Sequence, residues 1–377
     1  MANDLVKLQP VLYSAAQEVS AEPVGVVDSI NMSFDDKGVA KGDKVKVPYA
    51  PSASASDFTP AATTATGSDA KAENVDVEIT ASKKVSFHLT GEQIRSLENG
   101  ENYQEWTRQL VAQGMRTLRN LAESDACSAV KVGASRAIGT AGTTPFATTI
   151  DIIAELLKAM KDNGAPLADL NLAINTSAGF NLRKLGIIQQ AHQAGTDAER
   201  RQGTFLRQFG FQIKESAGVG LHTKGTGAGY LTNLLAGYPV GATAIAVDTG
   251  ADTVLAGDVV TFAADTVNKY VVGTALSGEN LVLNRPGLRL PVANDNAMTV
   301  GNNYTANLAF ERSAVIGVMR PPIMPENPTI TQIPISDKFG LTYLLLDIAQ
   351  YGQRTWELHL AWGFKVVQSE HVMLLLG

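Results

Sequence analysis

The stretch GVGLHTKGTGAG, Gly218 to Gly229, gathers five glycines, one histidine and one lysine, and is the segment that most suggests a phosphate cradle. A P-loop requires GxxxxGK[ST], because backbone N–H groups wrap the phosphates and the lysine follows the last glycine onto a helix. Here the order is Lys224-Gly225, GTGAG misses the GxGxxG spacing, and the following YLTNLLAGYPVGATAIAV has no helical stripe. The stretch therefore reads as a flexible joint, with Gly225, Gly227 and Gly229 as its pivots.

The other reactive side chains are scattered. His88, His192, His222, His359 and His371 form no HxxxH or HExxH pair, and a single cysteine, Cys127, cannot build CxxC. His88 and His359 sit on the polar parity of strand patterns, where exposed rings are expected. Asp248, Asp252, Asp258 and Asp265 are too loosely spaced for a calcium loop and read as turn caps or solvated groups. Cys127 lies within a helical pattern, away from a helix N-terminus that could activate it, and reads as an inert, half-buried thiol. Glu123 and Asp125 read as a solvated helix face. No GxSxG elbow occurs. The expectation is a chain without catalysis, cofactor or metal.

With 377 residues, 45% apolar content and a net charge of -6, the chain has material for real cores in two or three domains. No basic block marks a nucleic-acid groove. The N-terminal MANDLVKLQPVLYSAAQEVS has neither a basic nor an apolar signal region, and no run approaches eighteen apolar residues, so no membrane partner is expected.

The elements that would position these residues are long. In VDVEITASKKVSFHL, Val75, Val77, Ile79, Val85, Phe87 and Leu89 share one parity, which predicts a half-buried strand of about 50 Å at 3.3 Å per residue. DKVKVPY alternates likewise, and the Ala/Ser/Thr-rich segment between them makes a long hairpin with a soft tip. Thr90 and Gln93 have capping-box spacing ahead of a short helix that stops at Gly100. Then Trp106, Leu110, Gly114, Leu118 and Ala122 recur at i,i+4, which predicts a helix of about 45 Å. From Thr148 helices and strands alternate. From Leu231 to about Thr305 short β-type runs recur between Gly, Asn and Asp, the texture of a small β-barrel. Helix-and-strand texture then resumes, with the alternation TWELHLAWGFKVV and a last strand, VMLLL. The barrel thus reads as inserted into an α/β unit. A hairpin and helix of these lengths expose apolar faces that neighbouring copies must cover.

Laid end to end, these segments resemble the major capsid proteins of tailed double-stranded-DNA bacteriophages, with the HK-97-type fold, and among them the coat-protein type of short-tailed Salmonella phages with an inserted domain. NDLVKLQPVLYSAAQEVSAEPVGVV is similar to the N-terminal arm, GDKVKVPYAP with NVDVEITASKKVSFHLTGEQ to the extended loop, and residues 102–130 to the spine helix. LNLAINTSAGFNLRKL and GTFLRQFGFQIKESAGVGLHTKGTG resemble the axial domain, and NLAFERSAVIGVMRPP its continuation. The inserted segment is shorter than that group's. The resemblance implies an α+β fold divided as N-terminal arm (1–40), extended loop (41–90), peripheral domain with spine helix (91–147), first axial part (148–230), inserted barrel (231–305) and C-terminal part (306–377). It implies self-assembly into hexamers and pentamers of an icosahedral virion shell, built in the host cytoplasm around double-stranded DNA held non-specifically, with a scaffolding protein and a portal protein. Tyr49 and Phe58 are then expected to touch a neighbour, Val77, Ile79, Val85 and Phe87 to hold the hairpin, and Trp106, Leu110 and Leu118 to seat the spine helix. Two alternatives are an encapsulin-like compartment and an enzyme using the glycine-rich loop for a phosphorylated ligand.

Overall fold

A computed structural model describes residues 22–34, 38–49, 73–99, 103–186, 207–325, 330–336 and 341–377. Among the described residues the first elements are β1 (Asn31–Phe34), β2 (Lys44–Tyr49), β3 (Glu73–Glu78) and β4 (Ala81–Thr90), then α1 (Gly91–Asn99) and α2 (Tyr103–Gly133). β5 (Arg136–Gly139), α3 (Ile152–Asp162), β6 (Leu170–Ile174), α4 (Thr176–Lys184) and β7 (Phe211–Glu215) form the alternating unit. Short strands follow: β8 (Leu221–His222), β9 (Leu231–Thr232), β10 (Ala244–Asp248), β11 (Val259–Phe262), β12 (Asp265–Ser277), β13 (Asn280–Leu283) and β14 (Met298–Val300). The last are β15 (Tyr304–Glu311), β16 (Val315–Arg320), β17 (Ile330–Ser336), β18 (Thr342–Gln350), β19 (Gln353–Val366) and β20 (Val372–Leu376). The helical texture expected after Thr305 is not there: the described residues of that part hold strands and two 3₁₀ turns. Its apolar runs, such as Tyr343 to Leu346 and Val372 to Leu376, are short and buried at successive positions, as in strands covered on both faces.

β19 organises the first sheet, ordered β1-β16-β19-β18-β17 with β4 added along β19. Its even positions, Trp356, Leu358, Leu360 and Trp362, are fully buried beneath α2, where Val111, Met115, Leu118 and Ala122 meet them. The 31-residue α2 matches the long helix expected from its apolar spacing. At α1 the capping box forms: Thr90 N donates to Gln93 Oε1 at 3.0 Å, and Gln93 N to Thr90 Oγ1 at 3.3 Å.

The alternation from Val75 to Leu89 is not one strand. β3 pairs with β2 through Val45–Val77 and Val47–Val75, whereas β4 pairs with β19 from Leu89–Arg354 to Ala81–Trp362. Between them the chain crosses over Gly363, where a Cβ would collide with Glu78 O, and Thr80 N donates to Trp362 O at 3.1 Å. Parity survives the crossing, so the sequence pattern hides it. Gly363→Ala is expected to cost about 1–3 kcal/mol by overpacking this crossing. Unchanged thermal melting of the variant would show that the hairpin does not cross there.

The second sheet carries β7-β6-β15-β20-β5 and continues through β12 into the short-strand region. α3 and α4 pack on it with Ile153, Leu156, Met160, Leu172, Phe211 and Leu375. Among the short strands, hydrogen bonds run β14-β11-β12-β13-β10-β9 and return through Met298 N to Tyr230 O and Thr232 N to Asn296 O, at 2.9 and 3.0 Å. This ring has its own core, including Ile245, Phe262, Tyr270 and Leu281. It is fused to the body, because Lys269 and Tyr270 of β12 pair with Ala137 and Arg136 of β5.

Candidate assembly surfaces and the polar sites behind them

The β2–β3 hairpin forms a two-stranded sheet of its own. Lys44 faces Glu78 and Lys46 faces Asp76 across it, while the valine pairs form its other face. At its base Val77 and Ile79 are fully buried on Ile316, Val318 and Ala361, whereas Val45 and Val47, farther along β2, are only partly covered. Tyr49 ends β2 opposite Glu73. Phe58 lies outside the described residues. Val85 and Phe87 do not belong to the hairpin. They lie on β4 in the sheet, where Phe87 stacks on Trp356 with ring centroids 5.8 Å apart. On α2, Leu118 is fully buried and Trp106 half-buried against the core, but Leu110 lies at the margin while Val111 takes the buried position.

The glycine-rich stretch is not slack. A Cβ at Gly225 or Gly227 would run into Thr253 O, and Gly227 N donates to that oxygen at 2.7 Å; Gly229, with φ +76°, turns the chain into the ring. Asp258, expected to cap a turn or meet solvent, does the first: it is completely buried and caps the turn from Leu255. It takes Gly225 N at 3.0 Å and Leu255 N at 2.7 Å, and its Oδ1 lies 2.8 Å from His222 Nε2. The joint is therefore a fastening between β8 and the ring. Burial, then the nearby Asp258 charge, pushes the Tyr304 hydroxyl upward in pKa; it donates to Gly257 O at 2.6 Å.

Several other polar groups have partners that their sequence patterns do not suggest. Asp265 is buried and accepts from Tyr270 Oη at 2.6 Å; burial, followed by that bond, raises the Tyr270 pKa. His359 is buried with Nε2 3.1 Å from Glu357 Oε2, and burial lowers its pKa against the opposing pull of Glu357. Glu123 is 2% exposed and binds backbone amides. Asp125 stays exposed yet accepts from Trp362 Nε1 at 2.8 Å. Cys127 is buried rather than half-buried, and burial with the Glu123 charge beside it raises its thiol pKa. The partnerships of Glu123 and Asp125 are invisible locally, because each joins residues far apart in sequence.

No group of three or more His, Cys, Asp or Glu residues among those described could hold a metal ion. An open trough of about 720 Å³ beside α2 is lined by Lys41, Lys83, Lys365, Ser82, Ser128 and Asp125 among others, with no histidine or cysteine to act as base or nucleophile. No described helix is long and apolar enough to cross a membrane.

An extended hairpin, a long helix under a sheet and a strand ring fused to an α/β layer can be compared as a whole with solved structures. The chain is similar to one described as the capsid structure of the Cyanophage P-SCSP1u, at 12% identity over 95% of this chain and 89% of that one, with a TM-score of 0.50. The chain shares its fold with a cyanophage capsid chain. A chain of Mycobacterium phage Che8 matches at 16% identity over 89% and 85%, with a TM-score of 0.49. A virus-like particle from Pyrococcus furiosus matches at 10% identity over 98% of both chains, with a TM-score of 0.42. No family model matches, and no curated protein does.

Proposed function

We propose that this chain is the major capsid protein of a tailed double-stranded-DNA phage, a structural subunit without catalysis that assembles with copies of itself into hexamers and pentamers of an icosahedral shell. The fold shared with a phage capsid chain over 95% of the sequence carries this reading. The architecture supports it physically. The hairpin keeps a partly covered valine face, and large apolar side chains such as Phe180, Phe209, Leu235 and Val240 are well exposed, which is surface for contacts between copies. In this reading the ring of short strands is the inserted barrel, residues 1–40 are the N-terminal arm, and the hairpin is the extended loop on which Tyr49 and Phe58 reach a neighbour. A scaffolding protein, a portal protein and non-specifically held DNA are its partners. The net charge of -6 suits an inner wall that does not grip packaged phosphates.

Sedimentation of the purified chain tests the proposal. Fast-sedimenting particles of many copies are expected, formed alone or on adding a co-expressed scaffold. A chain that stays small in both conditions and at high concentration would overturn it.

A further inference from the structure

Residues 22–34 cross the molecule as a strap. At one end β1 pairs in parallel with β16, and Val26, Val27 and Ile30 are buried in the core under α2. On the other side, Ala217 N donates to Pro23 O at 2.9 Å and Lys214 Nζ donates to Asp28 O at 3.2 Å, so the strap also holds β7 and the turn after it. Arg119 of α2 reaches Asp28 at 3.1 Å.

Midway, three successive amides converge on one carboxylate. Gly25 N and Val26 N donate to Glu123 Oε1 at 2.9 and 2.8 Å, and Val27 N donates to Oε2 at 2.9 Å. Ser216 Oγ, from the turn after β7, donates to Oε1 at 2.5 Å. Successive amides turned inward make an anion nest, and α2 supplies its occupant. The packing leaves no slack: a Cβ at Gly25 would lie 2.9 Å from Glu215 O, and one at Gly218 would lie 2.8 Å from Glu123 Cγ. Strap, helix and axial turn thus meet at a single buried carboxylate.

We infer that Glu123 is the positioning residue that fastens this strap, and that the fastening sets the direction from which the chain enters it and so which neighbouring copy the N-terminal side meets. The second half rests on the self-assembly reading. Glu123→Gln keeps the shape and one acceptor oxygen but turns an amide donor toward donors; Ser216→Ala removes one donor and keeps the core. Hydrogen exchange of the full-length chain is the readout. Exchange at Gly25 to Val27 should rise about ten-fold or more in Glu123→Gln and less in Ser216→Ala, as expected for lost bonds to a charged group. Amides of β20 should keep their protection. Unchanged exchange at Gly25 to Val27, or an equal rise at β20, overturns the fastening, and Ser216→Ala carries that test alone should Glu123→Gln not fold. Sedimentation then separates the two halves. Loss or a changed size of particles in Glu123→Gln is expected. Particles of parental size with a loosened strap overturn the neighbour half, while a parent that never assembles overturns the self-assembly reading and leaves the fastening standing.

Discussion

Trp362→Ala is expected to destabilise the unassembled chain by about 3–5 kcal/mol, the range for removing a fully buried large aromatic. Trp362 has no exposed surface, pairs with Ala81 on β4 and Met319 on β16, and donates through Nε1 to Asp125 of α2 at 2.8 Å. It therefore touches both strands beside β19 and the helix above. Its carbonyl takes Thr80 N at the crossing that launches the hairpin. Trp362→Phe keeps most of the packing and loses the Asp125 bond, so a loss of about 1–2 kcal/mol is expected for it. Urea unfolding of the two variants separates these contributions. A Trp362→Ala loss below about 1 kcal/mol would mean that α2 does not lie on β19 as described.

Asp258→Ala is the second large effect. It strands three donors, Gly225 N, Leu255 N and His222 Nε2, around a carboxylate that is itself completely buried. Each orphaned buried donor costs about 1–3 kcal/mol, so the sum is several kcal/mol. The damage should be local: amide protection at 225–227 and 253–258 should fall, while β20 keeps its own. Asp258→Asn, with one acceptor oxygen, should fall between. Parental protection at Gly225 in Asp258→Ala would show that the joint is held by packing alone.

Much of the framework is legible from residue periodicity. Trp356, Leu358, Leu360 and Trp362 declare a buried strand face by parity, and the predicted helix over residues 102–130 coincides closely with Tyr103–Gly133. The short runs after Leu231 declare strands, though not that they return on themselves or join β5 through Lys269 and Tyr270. Three features escape sequence reasoning for physical reasons. The crossing at Gly363 preserves parity, so β3 and β4 read as one strand. Glu123 has the look of a helix-surface charge, because its donors come from Gly25, Val26, Val27 and Ser216, more than ninety positions away. His222 and Asp258 lie 36 positions apart, and only the folded ring brings them within 2.8 Å. A glycine at a tight backbone contact, as at Gly225, is indistinguishable in sequence from a glycine in a slack loop.

The central claim, that copies of this chain complete one another in a closed shell, is tested most directly by electron microscopy of gradient fractions from cells expressing the chain alone and with its neighbouring genes. Closed shells, or spirals and sheets that close when a scaffold is supplied, are predicted. Only small discrete particles in every fraction, with the chain stable on concentration, would contradict it.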